Sequence, residues 1–147
     1  MNYAIDKVVK EEYPEIMEVW EASVRATHYF LNEGDIAFYK SIIFHQYLDA
    51  VELICVRNTA TNIVGFGGVS RGNLEMLFIQ PIHFGEGIGH ALLQHAINHL
   101  EVKKVDVNEQ NELAVGFYLH EGFREVGRSE VDALGKPYPI LHLELIE

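Results

Sequence analysis

The sequence predicts an α/β fold: a mixed, mostly antiparallel sheet of six to seven strands with helices on both faces. Two observations carry this expectation. Three β-rich stretches follow one another between residues 51 and 80 with only short polar turns between them, the pattern of an antiparallel meander. After Pro81, helical and extended patterns alternate, which places helices between strands of one sheet.

The elements follow in order. Residues 3–9 (YAIDKVV) alternate apolar and polar and predict a first strand. From Glu11 to Thr27, the residues Tyr13, Ile16, Met17, Trp20 and Val24 fall at helical spacing, with Pro14 tolerated in the first turn. A second helix is expected over roughly 35–48, carrying Ile36, Tyr39, Ile43 and Tyr47. The meander is VELICVR (51–57), NIVGFGGVS (62–70) and LEMLFIQ (74–80). A helix from about Gly87 to Leu100 turns Ile88, Leu92, Leu93 and Ala96 inward and His90, Gln94 and Asn98 outward. A strand at 102–108 leads to a short helix that Asn111 caps and Gly122 ends. Two strands, FREVGRSEV and YPILHLEL, close the chain around the turn DALGKP. With no repeat or linker-like tract, residues 1–147 read as a single domain.

Charge narrows the function. Eleven Lys and Arg stand against twenty-two Asp and Glu, a net charge of −11 that repels phosphate backbones and attracts cations. No nucleic-acid partner is expected. No apolar run approaches the roughly 20 residues that span a bilayer, so no membrane partner is expected either. The acidic start MNYAIDKVVKEE fits neither a secretory nor a transit peptide, which points to the cytoplasm. Cys55, the single cysteine, sits in the apolar run VELICV and reads as a buried structural thiol.

The segment LFIQPIHFGEGIGHALL runs strand, proline, glycines, helix. Glycines 85, 87 and 89 let the backbone approach a ligand and leave amides unpaired at a helix start, an anion site suited to phosphate. Gly89-His90-Ala91 lacks the Gly-Lys-Ser/Thr of a Walker A loop. A dinucleotide fingerprint fails at His90, although Asp106 lies where a ribose-binding acid would, and the preceding meander is wrong for a first βαβ unit. Simple packing of helix on strand is the remaining alternative.

The same residues resemble the GNAT superfamily of acyl-CoA N-acyltransferases. Its strand Leu-x-Val-x-Pro is matched by Leu77, Ile79 and Pro81, and its Gln/Arg-x-x-Gly-x-Gly/Ala loop by Gly87 and Gly89, with Phe84 departing at the Gln/Arg position. A second block, NEQNELAVGFYLHEGF, resembles the family through Asn111, Ala114, Tyr118, Gly122 and Phe123. The segments VWEASVRATHYFL and GRSEVDALGKPYPIL look like one bacterial branch, the YjaB-like acetyltransferases.

The resemblance implies acetyl-CoA as co-substrate and a small-molecule or peptide amine as acceptor. It implies pyrophosphate held by the amides of Phe84, Gly85, Glu86, Gly87, Ile88, Gly89 and His90. The pantetheine arm would pair with the main chain of Leu77 and Ile79, and an amide near Phe78 would polarise the thioester. Tyr118 is the expected acid toward the CoA thiolate. An amine of reference pKa about 10.4 is almost wholly protonated at neutral pH, so a base is needed. Glu75 and His28 are the candidates, each with an ordinary surface or packing role as its alternative. Asn111 either caps its helix or touches the cofactor. His95 and His99 share a metal-like i,i+4 spacing but lack the Glu of HExxH, so no metal is expected. A catalytically silent acyl-CoA-binding module is the alternative function.

Overall fold

A computed structural model describes residues 3–146. Seven strands form one sheet in the order β1-β2-β3-β4-β5-β7-β6. They are β1 (Asp6–Lys7), β2 (Glu52–Arg57), β3 (Ile63–Ser70), β4 (Asn73–Ile79), β5 (Lys104–Asn108), β6 (Phe123–Ser129) and β7 (Ile140–Leu145). The helices are α1 (Tyr13–Thr27), α2 (Glu33–Ile42), α3 (Ile88–His99) and α4 (Glu112–His120). All neighbours pair antiparallel except β4 and β5. The mixed sheet with helices on both faces is as the sequence predicts.

Two elements differ from expectation. The first strand shrinks to Asp6–Lys7, because the chain then turns through a 3-10 segment at Lys10–Glu12 into α1. The second helix starts at Glu33, capped by Asn32 Oδ1 accepting from the Asp35 amide at 2.8 Å. Its α-helical part ends at Ile42, and a wider π turn (Ile43–Tyr47) and a 3-10 turn (Leu48–Ala50) carry the path to β2.

The core is split by the sheet. On one face α3 and α4 cover Ile54, Val64, Leu74, Val105, Val107 and Leu143. On the other, α1 and α2 cover Leu53, Cys55, Ile63, Phe66 and Met76. Cys55 is fully buried, and burial pushes its thiol up to about 11, as expected of a structural cysteine.

Two features position the site. In the β3–β4 ladder Val69 opposes Leu74 and Gly68 opposes Met76, so Glu75 is an extra residue, a bulge. Leu74 therefore faces the α3 side and Met76, two residues on, the α1 side. The second feature is the parallel pairing of β4 with β5, which covers only Asn73–Lys104 and Leu74–Val105. Beyond those two pairs the strands separate, leaving a split in the middle of the sheet.

Candidate active site

The split exposes backbone that would otherwise be paired. Gln80 donates its amide to the Val64 carbonyl at 2.8 Å. Hydrogen-bonded pairs alternate along an antiparallel ladder, so Phe78 also directs its amide and carbonyl at β3. Leu77 and Ile79 then direct theirs into the split. This supports the main-chain expectation for Leu77 and Ile79 and corrects the one for Phe78, whose amide points the wrong way for an oxyanion donor. Its ring instead joins Trp20, His28 and Phe66 on the α1 side, with centroids 5.8–6.5 Å away.

At the end of β4 the chain passes a 3-10 turn (Pro81–His83) and reaches the glycines. Gly85 and Gly87 take φ of +79° and +87°, a region that favours glycine, and Gly87 sits just before α3. Among the described residues, the amides of Gly85, Glu86, Gly87, Ile88, Gly89 and His90 have no acceptor within the chain. The Phe84 amide, expected to join them, donates to the Pro81 carbonyl at 3.1 Å, so the cradle begins one residue later. The Ile88 side chain is buried and only its amide faces the loop. Six free amides at the positive end of a twelve-residue helix fit a pyrophosphate without a lysine or arginine. Two carboxylates hold the neighbouring imidazoles: Glu86 bonds His83 at 3.0 Å and Glu121 bonds His90 at 2.5 Å.

On the α1 side of the same split lies a cavity of about 470 Å³. One wall is α1 and α2, with Trp20, His28 and Tyr39; the floor is β4, with Glu75, Met76 and Phe78. The opposite wall is β5, β6, β7 and the loop between the last two, with Asp106, Ser129, Asp132 and His142. The lining holds three carboxylates and no lysine or arginine. The loop is tied to α2: Tyr39 donates to Asp132, Tyr138 donates to Asp35, and Lys136 pairs with Asp35 at 3.2 Å.

The sheet thus carries a loop of unpaired amides at the end of β4 and an acid-lined cavity beside the β4–β5 split. The model of the acetyltransferase (GNAT) domain matches residues 32–135. The chain is 40% identical over 146 residues to peptidyl-lysine N-acetyltransferase YjaB of Escherichia coli strain K12, covering 99% of both. The chain belongs to the GNAT acetyltransferase family. The solution structure of apo YjaB from Escherichia coli superposes at a TM-score of 0.89, with 38% identity and 99% coverage of each chain. The PaiA N-acetyltransferase of Thermoplasma acidophilum, solved with coenzyme A, shares the fold at 0.76 with 18% identity over 98% of this chain and 99% of that one. The protein is thus a GNAT enzyme that transfers an acetyl group to an amine, with acetyl-CoA as the family's donor.

Within this GNAT fold both base candidates reach the cavity. Glu75 is exposed at the bulge and lines it. His28 ends α1, 8% exposed, and burial lowers its pKa from 6.5 to about 4. Its tautomer follows from geometry. Thr27 Oγ1 gives its only proton to the Ser23 carbonyl at 2.8 Å, so at 2.8 Å from His28 Nδ1 it accepts. Nδ1 carries the proton, and Nε2 keeps its lone pair. No buried side-chain nitrogen or oxygen among the described residues lacks a partner, so the unbonded Nε2 is the accessible one.

Tyr118 is 5% exposed, packed edge-on against Phe117 and Phe123, more deeply buried than a tyrosine turned openly to a cleft. Burial raises its pKa above the ordinary phenol value, so it stays a donor. Its hydroxyl has no partner among the described residues and, by the same reasoning as for His28, is the tip that solvent reaches. Asn111 uses its Oδ1 to cap α4, accepting from the Ala114 amide at 3.2 Å. His95 and His99 stack on α3 at 4.7 Å, and no group of three metal-binding side chains occurs among the described residues.

Sequence reasoning missed Ser129, His142 and Asp132. The alternation of β6 and β7 carries a signal for their faces, but not for the register that brings Ser129 within 2.7 Å of His142.

Proposed function

We propose that this enzyme acetylates lysine side chains of peptides or proteins with acetyl-CoA, by direct attack of the amine while both substrates are bound. The observation that carries this reading is the acid-lined, aromatic-walled cavity opening onto the same split as the phosphate cradle. The peptidyl-lysine activity named for the 40% identical relative supports it. A single domain over 1–147, a cytoplasmic location and a metal-free reaction complete the reading. Among the described residues, no helix is long and apolar enough to cross a membrane.

Acetyl-CoA supplies an activated acyl group as a thioester. The amides of residues 85–90 hold its pyrophosphate, and the main chain of Leu77 and Ile79 lines up the pantetheine as an added strand. A free β4 amide from one of these two residues donates to the developing oxyanion. Glu75, Asp106 and Asp132 draw the ammonium in, while His28 Nε2 or Glu75 takes its proton, directly or through water. Tyr118 donates to the departing sulfur. The thiolate of a thiol with reference pKa about 8.5 is a weaker base than a phenolate of reference pKa about 10, and burial raises the Tyr118 phenol further, so complete transfer runs uphill by at least about 2 kcal/mol and hydrogen bonding dominates.

The test is CoA release from acetyl-CoA with α-blocked lysine peptides beside small polyamines and free amino acids. Acetyl-lysine located by mass spectrometry is expected. Turnover confined to small amines would overturn the peptide acceptor.

A further inference from the structure

Three polar side chains on the far wall of the cavity form a continuous chain. Asp106 Oδ1 lies 2.6 Å from His142 Nδ1, and His142 Nε2 lies 2.7 Å from Ser129 Oγ. They stand on adjacent strands β5, β7 and β6. Val105, Val107, Leu141 and Leu143 occupy the α3 core, so alternation turns Asp106 and His142 to the opposite face. His142 is paired with Asp106 on one side and Gly127 on the other. A Cβ at Gly127 would lie 3.6 Å from His142 Cδ2, so the ring leans across the glycine toward Ser129.

We propose that Ser129 is a further catalytic residue, the group that takes the second proton, the one the neutral amine sheds as it bonds the acetyl carbon, with His142 and Asp106 as the path behind it. This rests on the amine-acetylation reading above. A carboxylate only accepts, so Asp106 fixes the His142 proton on Nδ1 and Nε2 accepts from the Ser129 hydroxyl. Ser129 Oγ then shows the cavity only lone pairs and has no other partner among the described residues. It is an acceptor in a cavity whose lining carries no lysine or arginine, suited to an N–H donor.

As nitrogen bonds the acetyl carbon and the carbon–sulfur bond breaks, an amine proton passes to Ser129 Oγ and the serine proton to His142 Nε2. The resulting imidazolium faces the Asp106 carboxylate. The His142 and Asp106 side chains are 38% and 49% exposed, so the proton is then lost to water. The same geometry serves as a nucleophilic triad in hydrolases, which makes serine acylation an outcome for the test.

The test uses Ser129→Ala, Asp106→Asn, the double variant and Ser129→Thr, with a lysine peptide as acceptor. Asn at 106 can donate to Nδ1 and so hold the wrong tautomer. Each of Ser129→Ala and Asp106→Asn should lower kcat about 100-fold, the low end for acid–base catalysis, with acetyl-CoA Kd unchanged. The double variant should be no worse than either single one, since the residues act as a unit. Ser129→Thr, which keeps the hydroxyl, should retain activity. An acceptor amine already neutral at the assay pH should show the same loss, because the relay takes the proton shed during attack. Wild-type kcat in Ser129→Ala, or losses that multiply in the double variant, would overturn the relay while leaving acetyl transfer standing. So would an acetyl adduct on Ser129 formed from acetyl-CoA without amine. A wild type that releases no CoA with any amine would overturn the acetylation reading itself and the relay with it.

Discussion

Replacing His28 with glutamine and acidifying the wild type act on the same buried ring. In the folded chain its pKa is about 4, against 6.5 for an ordinary imidazole, because burial penalises the charged form. The unfolded chain therefore binds this proton first. Stability is fully present above pH 6.5 and is lost as the pH falls from there toward 4. At about pH 5 the unfolded ring is almost wholly protonated and the folded one mostly neutral, a loss of about 2 kcal/mol. Carboxylates held low by arginine, such as Glu12 and Glu33, add their own losses only in stronger acid, below their ordinary 4.5. Urea unfolding of wild type and His28→Gln at about pH 7 and about pH 5 separates the effects. The wild type should lose about 2 kcal/mol more than the variant across that interval. Equal losses would show that His28 meets water as readily folded as unfolded, and the assignment of a neutral Nε2 at the cavity would fall with it.

Tyr118→Phe keeps the ring between Phe117 and Phe123 but removes the donor. kcat should fall by about 10²–10⁴-fold with acetyl-CoA Kd little changed, as calorimetry beside steady-state kinetics would show. Gly87→Glu forces a side chain onto a φ of +87° and sets a like charge in the anion cradle, so calorimetric binding of acetyl-CoA should be lost while a Cys55→Ser control still binds. Gly65→Ala places a Cβ 2.8 Å from Ile88 Cγ2 and 2.9 Å from Ile79 Cδ1. Overpacking there should cost about 1–3 kcal/mol in thermal or urea unfolding and weaken acetyl-CoA binding, because α3 must shift off β3.

Much of this molecule is legible residue by residue. The helical spacing of Ile16, Trp20 and Val24, and the glycines before Ile88, follow from local chemistry; α1 forms where that chemistry puts it, and the unpaired amides start at Gly85, one residue later than expected. The bulge at Glu75 is not legible, since it consists of a register against β3 that the β4 sequence does not encode. The direction of the Phe78 amide depends on the same register. Ser129 and His142 are thirteen residues apart, and only the hairpin they lie in brings them together. The burial of Tyr118 reflects Phe123 closing over it from β6, a contact that spacing within α4 does not reveal.

The two residue pairs joining β4 to β5 also divide the sheet mechanically. Strands β1–β4 form one plate and β5, β7 and β6 another, with a short seam at Asn73–Lys104 and Leu74–Val105. In the proposed seating, a substrate arm lying along the open part of that seam would add backbone hydrogen bonds to the free edge of β4. A ligand seated there would favour the folded state over the unfolded one, so under the proposed seating saturating acetyl-CoA should raise the unfolding temperature as well as supply the reagent.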